Sequence, residues 1–196
     1  MNGQFLPRKN PAKTVKGRGF LDRGLMKKAI TRFSKDGKTK VVLHVRLSDP
    51  CGNGHNDFAF TADVYKKIGG SERFSEISAG AIFSKERILF IGKFFPDVVK
   101  FLPLHLADEQ GRPMYYVENA VYFFKTEGVK SGADYLNIDE ETASKIWEKI
   151  KDFNEKDEDF KKEVEKVYAE FGLFDKWQKL ADECISYFTS KTDNEI

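Results

Sequence analysis

Residues 49–58, DPCGNGHNDF, place reactive side-chain types between two runs that favour strands. Cys51 and His55 are separated by three residues, so a thiolate and an imidazole could reach one zinc ion. A structural zinc needs further ligands, and the only other histidines are His44 and His105. The pair is therefore a candidate metal site, but the sequence predicts no bound metal.

The same loop admits three other interpretations. Cys51 could be a nucleophile with a histidine as its base, although such partners usually lie far apart in sequence and meet in space. Gly52, Asn53 and Gly54 tolerate positive φ, which is typical of a turn. The amides of these glycines could also face an anion, without the spacing or lysine of a phosphate-binding loop. The composition favours a structured hairpin loop whose ligand-facing role stays open.

Aromatic and basic residues cluster in a second stretch, GRPMYYVENAVY. Arg112, Tyr115 and Tyr116 could stack on bases or on a nucleotide. Tyrosines at helical spacing are also typical of a half-buried core. The chain has no Gly-x-Ser-x-Gly, His-Glu-x-x-His or dinucleotide-binding motif, so we expect no cofactor.

The net charge of +2 conceals an uneven distribution along the 196 residues. Residues 1–40 hold 12 Lys or Arg against 2 Asp or Glu, whereas residues 138–196 hold 10 against 17. This asymmetry predicts a basic segment that meets phosphate, an acidic partner or the protein's own acidic helices. The candidate nucleic-acid residues in this arm are Arg8, Lys9, Lys13, Lys16 and Arg18.

The compartment is predicted from what the sequence lacks. No apolar run approaches the roughly 20 residues that span a bilayer, and the N-terminus has no secretory signal pattern. Cys51 and Cys184 lie far apart and are expected to be free thiols. The sequence therefore predicts a cytoplasmic protein without membrane contact, and its oligomeric state stays open.

Periodicity predicts an α+β fold, with a small antiparallel sheet, packed helices and a helical C-terminal subdomain. The expected units are a flexible basic arm (1–19), an α+β core (20–130) and the helical subdomain (138–190). The core should hold a helix over 21–33, a strand hairpin over 39–67, a short strand at 75–78, and helices over 82–94 and 96–102. The run over 114–125 is compatible with a strand, but its apolar spacing favours a helix. Three amphipathic helices should fill the subdomain, with Cys184 on a buried stripe.

Several motifs together resemble a family of uncharacterised proteins carried by phages, plasmids and other mobile elements. The shared segments are CGNGHNDFAFTADVY, GAI, FFPD, LHLAD and GRPMYYVENAVY, in the same order over about residues 42 to 125. The family pattern reads Cys-Gly-Asn-Gly-His-Asn, Gly-(Ala/Cys)-Ile-His, Phe-Pro-Glu, His-Leu and Pro-Met-His-Tyr, followed by Ala-Asn. The resemblance implies a mobile-element origin, but it implies no particular reaction.

Carried over by position, the resemblance adds binding candidates and two departures. The matching candidates are Cys51, Asn53, His55, Asn56, His105 and Asn119. Where the family has histidine, this chain has Phe83 and Tyr115. If those histidines serve as ligands or acid–base groups in the family, this chain retains only part of that site.

Three functions are compatible with these patterns. The leading hypothesis is a non-enzymatic binding protein of a mobile element that inhibits a host defence or nucleic-acid-processing component. The second is a metal- or histidine-dependent hydrolase that uses Cys51, His55 and His105. The third is a nucleic-acid-binding protein that uses the basic arm, so the expected partner is a host protein or a nucleic acid.

Overall fold

The computed structural model describes residues 26–49, 55–69, 71–82 and 84–190. Its strands form one four-stranded antiparallel sheet in the order β1-β2-β3-β4. They are β1 (Met26–Phe33), β2 (Thr39–Ser48), β3 (Asp57–Lys67) and β4 (Phe74–Ser78). Helices pack against one side of this sheet, so the predicted α+β class is confirmed.

The central pair of strands follows the predicted alternation. Val41, Leu43, Val45 and Leu47 of β2 are fully buried or nearly so, and each intervening residue keeps some exposure. The even-numbered residues of β3 from Phe58 to Val64 are buried in the same way. Period-two burial on paired strands gives the sheet one apolar face and one solvent-facing face.

The predicted helix over 21–33 is wrong for the part that the structure describes. Residues 26–33 form β1, which pairs with β2 from Met26↔Leu47 to Phe33↔Lys40. Met26 and Ile30 lie four residues apart, a spacing that fits one helix face and also one strand face. Pairing with β2 buries both side chains, so this segment forms a strand and not a helix.

The helices follow the sheet along the chain. They are α1 (Lys85–Phe94), a 3-10 helix (Val99–Leu104), α2 (Tyr116–Glu127), α3 (Val129–Leu136), α4 (Glu140–Ile150), α5 (Phe160–Glu170) and α6 (Leu173–Ser190). The Ser84 and Asp139 side chains accept backbone hydrogen bonds that cap α1 and α4. Periodicity predicted all of these except α3. None of the described helices has the length and apolarity needed to cross a membrane.

Helix α6 joins two hydrophobic cores. Leu173 and Trp177 pack in a core formed by helices α2 to α6. Ala181, Cys184 and Phe188 pack in the core beneath the sheet, which confirms that Cys184 is buried. Neither core includes a residue from the other face of the sheet, and every outward side chain of the described strands keeps some exposure.

Candidate functional site

Four of the predicted binding residues line one cleft. His55, Arg112, Tyr115 and Tyr116 surround a cavity of about 570 Å³. The connection before β3, the segment before α2, the first turn of α2 and helix α5 supply its walls. The further lining residues are Asp57, Asp108, Pro113, Met114, Val117, Glu118 and Lys161.

Arg112 is held in one orientation by its own turn. The Asp108 carboxylate accepts the Arg112 Nε–H at 2.7 Å and the backbone N–H groups of Gln110 and Arg112 at 3.0 and 2.9 Å. Arg112 Nη2 donates to Gln110 Oε1 at 2.9 Å. The guanidinium carbon lies 5.7 Å from the centre of the Tyr116 ring. A half-exposed guanidinium is thus fixed at the cleft wall.

Gly111 seats this turn against helix α6. Its φ is +79°, and a Cβ at this position would overlap the carbonyl oxygen of Trp177. Only glycine satisfies both the backbone conformation and the close approach. The position of Arg112 therefore depends on contact between the turn and α6.

The adjacent tyrosines have different roles. Tyr116 donates its hydroxyl hydrogen bond to Glu165 Oε1 at 2.9 Å, and burial together with this carboxylate raises its pKa to about 12. Tyr115 is 68% exposed and adopts a left-handed φ of 52°. A bulky side chain at positive φ is uncommon and clusters at functional sites. Tyr116 supports the wall, whereas Tyr115 presents a ring to solvent at the cleft.

Asp57 and Glu118 are the cleft carboxylates that accept no hydrogen bond within the described residues. Burial, followed by the charges of Asp108 and Asp49, raises the pKa of Asp57, and His55 opposes this effect. By contrast, both oxygens of Asp108 already accept hydrogen bonds. Glu118 is exposed and lies 3.9 Å from Lys161, so Asp57 is the less exposed acceptor that a bound molecule can meet in the cleft.

The remaining predicted site residues are placed elsewhere or lie outside the described ranges. Asn56 Nδ2 donates to Glu109 Oε2 at 3.1 Å, and Asn119 is exposed on α2. His105 Nδ1 accepts the Phe60 backbone N–H at 2.9 Å, and burial lowers the pKa of His105. The undescribed positions are Cys51, Asn53, Phe83 and the five arm residues Arg8, Lys9, Lys13, Lys16 and Arg18.

The histidines do not meet in one site. His55 lines the cleft, while His105 lines a different cavity between the 3-10 helix and α3. His44 lies on the outer face of the sheet, with Nε2 2.8 Å from the Asp63 carboxylate. Among the described residues, no group of three or more His, Cys, Asp or Glu side chains is arranged to hold a metal ion.

The outer face of the sheet is a second candidate surface, which we call the open face. Its described basic side chains are Lys27, Lys40, Arg46 and Lys67, and its aromatic side chains are Phe33, Tyr65 and Phe74. It also carries three acidic side chains, Asp57, Asp63 and Glu76. The face therefore combines a cationic excess with accessible rings.

One end of the open face is a cluster of lysines and rings. Lys40 Nζ lies 4.1 Å from the centre of the Tyr65 ring and 5.5 Å from that of Phe74. Lys67 Nζ lies 5.5 Å from the Phe74 ring, and the Phe33 and Phe74 centroids are 5.9 Å apart. These cation–π contacts hold the lysines beside the rings.

The other end of the open face is a depression of about 340 Å³. Ala29, Ala59 and Thr61 leave room at its base, and Lys27 and Arg46 lie at its rim. His44, Val45 and Lys28 complete its lining. The depression therefore combines small side chains with cationic ones.

The depression and the cleft are neighbours along β3. Asp57 lines the cleft, while Ala59 and Thr61, at alternate positions of the same strand, line the depression. Successive residues on one strand face are separated by about 7 Å. The two cavities therefore follow each other along one strand.

Comparison of the chain with family models, curated proteins and solved structures gave no match. The resemblance to mobile-element proteins consequently stays a prediction. The cleft and the open face are therefore the features from which function is inferred.

Sequence reasoning missed parts of both surfaces. Lys161 reaches the cleft from α5, and no local pattern connects it with Arg112. The open-face residues did carry a signal, because strand alternation already placed His44 and Arg46 opposite the apolar side of β2. Assigning 26–33 to a helix concealed the contribution of Lys27 and Phe33.

Proposed function

We propose that this protein is a non-enzymatic binding protein that holds single-stranded nucleic acid on its open face. The observation that carries this proposal is the combination of cations and aromatic rings on a sheet surface that none of the described helices covers. The proposal keeps the predicted binding role and names nucleic acid as the ligand.

The chemistry of the open face matches an unpaired strand. Cationic side chains attract phosphates, and aromatic rings stack on bases regardless of sequence. Antiparallel sheets with accessible rings are an established platform for such stacking. A duplex hides the faces of its bases, so the rings favour a single strand.

Among the described residues, three of the four cations of the open face are not paired with a carboxylate. Within the described residues, no carboxylate pairs with Lys27, Lys40 or Arg46, whereas Lys67 pairs with Glu72 at 2.9 Å. Asp63 is engaged by His44. Lys27, Lys40 and Arg46 can therefore attract an anionic partner.

The basic arm supports the same ligand through its place in the chain. Residues 1–25 contain six Lys or Arg against one Asp, and they lead directly into β1. Strand β1 carries Lys27 onto the open face. In the sequence, positive charge therefore immediately precedes the strand that carries Lys27.

The distribution of reactive groups favours binding over the predicted hydrolase. His55 and His105 line different cavities, and Arg112 is already engaged by Asp108. General acid–base catalysis requires its groups within hydrogen-bond reach of one substrate. The mobile-element origin and the action on a host component stay predictions.

Fluorescence anisotropy with a labelled single strand of about twelve nucleotides tests the proposal. Four phosphate contacts predict a slope of about −3 in log K against log salt, so that affinity falls about fifty-fold from about 50 to about 200 mM salt. The triple variant Lys27→Ala/Lys40→Ala/Arg46→Ala should bind at least about tenfold more weakly and show a slope near about −1.

The matched control removes the same charge from the helical half. Lys145, Lys149 and Lys162 are exposed and pair with carboxylates on α4 and α5 or beside them. Their triple alanine variant should change affinity less than about twofold, because such surface pairs contribute little. Equal losses in the two triple variants, or no binding by the folded wild-type protein, would refute the proposal.

A further inference from the structure

We infer that the cleft takes one base of the bound strand and selects bases that carry an exocyclic amino group. This inference rests on the proposed function, because it assigns base specificity to a strand held on the open face. Asp57 is the residue that would determine the choice, and Tyr115 is the ring beside it.

The path from the open face to the cleft is continuous along β3. Thr61 and Ala59 line the depression, and Asp57, the next residue on that side of the strand, lines the cleft. The cleft volume of about 570 Å³ lies within the range of small-molecule sites. A strand seated in the depression can therefore place its next base in the cleft.

The acceptor at Asp57 accounts for the selectivity. Its carboxylate lacks a donor within the described residues, although burial already disfavours its charge. Cytosine and adenine present an amino group to such an acceptor, as guanine does at its minor-groove edge. Thymine and uracil present a carbonyl oxygen where cytosine presents its amino group. This oxygen cannot donate a hydrogen bond and would be repelled by the carboxylate.

Flat surfaces in the cleft suit a base. Tyr115 lines the cleft and keeps 68% of its surface exposed, and its backbone is left-handed. The Arg112 guanidinium is fixed by Asp108 and Gln110 and lies against the Tyr116 ring. A ring and a guanidinium plane are the two side-chain surfaces on which unpaired bases stack.

The cations of the cleft can hold the adjoining backbone. Lys161 lies 3.9 Å from Glu118, a long pair that leaves its ammonium group accessible. Arg112 keeps part of its guanidinium at the surface. These two cations face three carboxylates in the lining, and they are the groups that can meet the phosphate of an entering base.

Anisotropy with oligo(dC) and oligo(dT) tests the inference on the full chain. The wild-type protein should bind oligo(dC) about tenfold more tightly, since a hydrogen bond to a charged acceptor is worth at least this factor. Asp57→Asn should reduce the preference to within about twofold, mainly by weakening oligo(dC) binding. Oligo(rC) and oligo(rU) should show the same preference, because uracil also lacks the amino group.

Asp175→Asn is the matched control, since it removes the same charge from an exposed position on α6. It should leave the preference for oligo(dC) unchanged, and thermal unfolding will show whether each variant is folded.

Equal binding of both strands, or a preference that survives Asp57→Asn, would overturn the inference. If binding persists without preference and the open-face triple variant abolishes it, only the base selection fails. If neither strand binds, the proposed function fails as well.

Discussion

The open face and the cleft are built in opposite ways. The open face comes from hairpins between strands that are neighbours in sequence, and each side chain is placed by alternation. The cleft draws on three distant segments, around His55, Arg112 and Lys161. A surface made by local pairing tolerates single substitutions, whereas a cleft made by packing depends on each contact that seats its walls.

The difference extends to the accessibility of charged groups. On the open face, Lys27, Lys40 and Arg46 have no carboxylate partner within the described residues. In the cleft, Arg112 is bound to Asp108, and Tyr116 to Glu165. The open face is thus suited to sequence-independent attraction, and the cleft to a particular shape and hydrogen-bonding pattern.

Gly111→Ala should have the largest effect, on the cleft and on stability together. The substitution forces a Cβ into the Trp177 carbonyl and requires positive φ, so we expect a loss of about 3 kcal/mol in the free energy of unfolding. Chemical denaturation provides the measurement. Any preference for oligo(dC) should fall with it, while binding of oligo(dT) by the folded fraction persists.

Gly172→Ala is the control for backbone strain alone. Its φ is +66°, and nothing lies within 4 Å of the position that the alanine methyl group would occupy. The expected cost is about 1 kcal/mol. If the two alanine variants are equally stable, contact with α6 does not hold the Arg112 turn in place.

The aromatic rings of the open face should produce the next largest effect. Tyr65→Ala and Phe74→Ala should each weaken binding of single strands by about 1–3 kcal/mol, because each removes one stacking ring. The loss should be similar for oligo(dC) and oligo(dT). Tyr122→Ala, which removes an exposed ring from α2, should leave anisotropy titrations unchanged.

Local patterns predicted most of the fold, and the exceptions have physical causes. Strands β2 and β3 were predictable because burial follows alternation along both. Helix α3 was missed because Gly132 weakens its helical pattern. That glycine is required, since a Cβ there would overlap the Phe124 ring of the neighbouring helix. The sequence shows that Gly132 lowers the local helix propensity, but it does not show the close helix packing that this glycine permits.

The candidate site was predictable only in part, because residue type can be read from the sequence and tertiary packing cannot. His55, Arg112, Tyr115 and Tyr116 were identified by residue type, and the structure brings them to one cleft. His105 was grouped with His55, but its ring instead supports the Phe60 backbone. Residue type indicates what a side chain can do, whereas tertiary packing decides which partners it meets.

The smallest effect concerns Asp57 and Asp108, which face the same cleft with opposite consequences for stability. Burial and neighbouring charges raise the pKa of Asp57 above its usual 3.8. Between the unfolded and folded pKa values the native state binds more protons, so this residue lowers the free energy of unfolding as pH rises through that window. Asp57→Asn should therefore be at least as stable as the wild-type protein at about pH 7. Asp108→Asn keeps an oxygen for the backbone N–H groups of Gln110 and Arg112, but it replaces Oδ2, the acceptor of Arg112 Nε–H, with an amide that cannot accept. This loss should cost about 1–2 kcal/mol. Urea denaturation of both variants at acidic and neutral pH makes the comparison. If Asp57→Asn is less stable than the wild-type protein, this carboxylate supports the fold. If the variant is stable but has no base preference, the stability that Asp57 costs the protein is explained by its role in ligand selection.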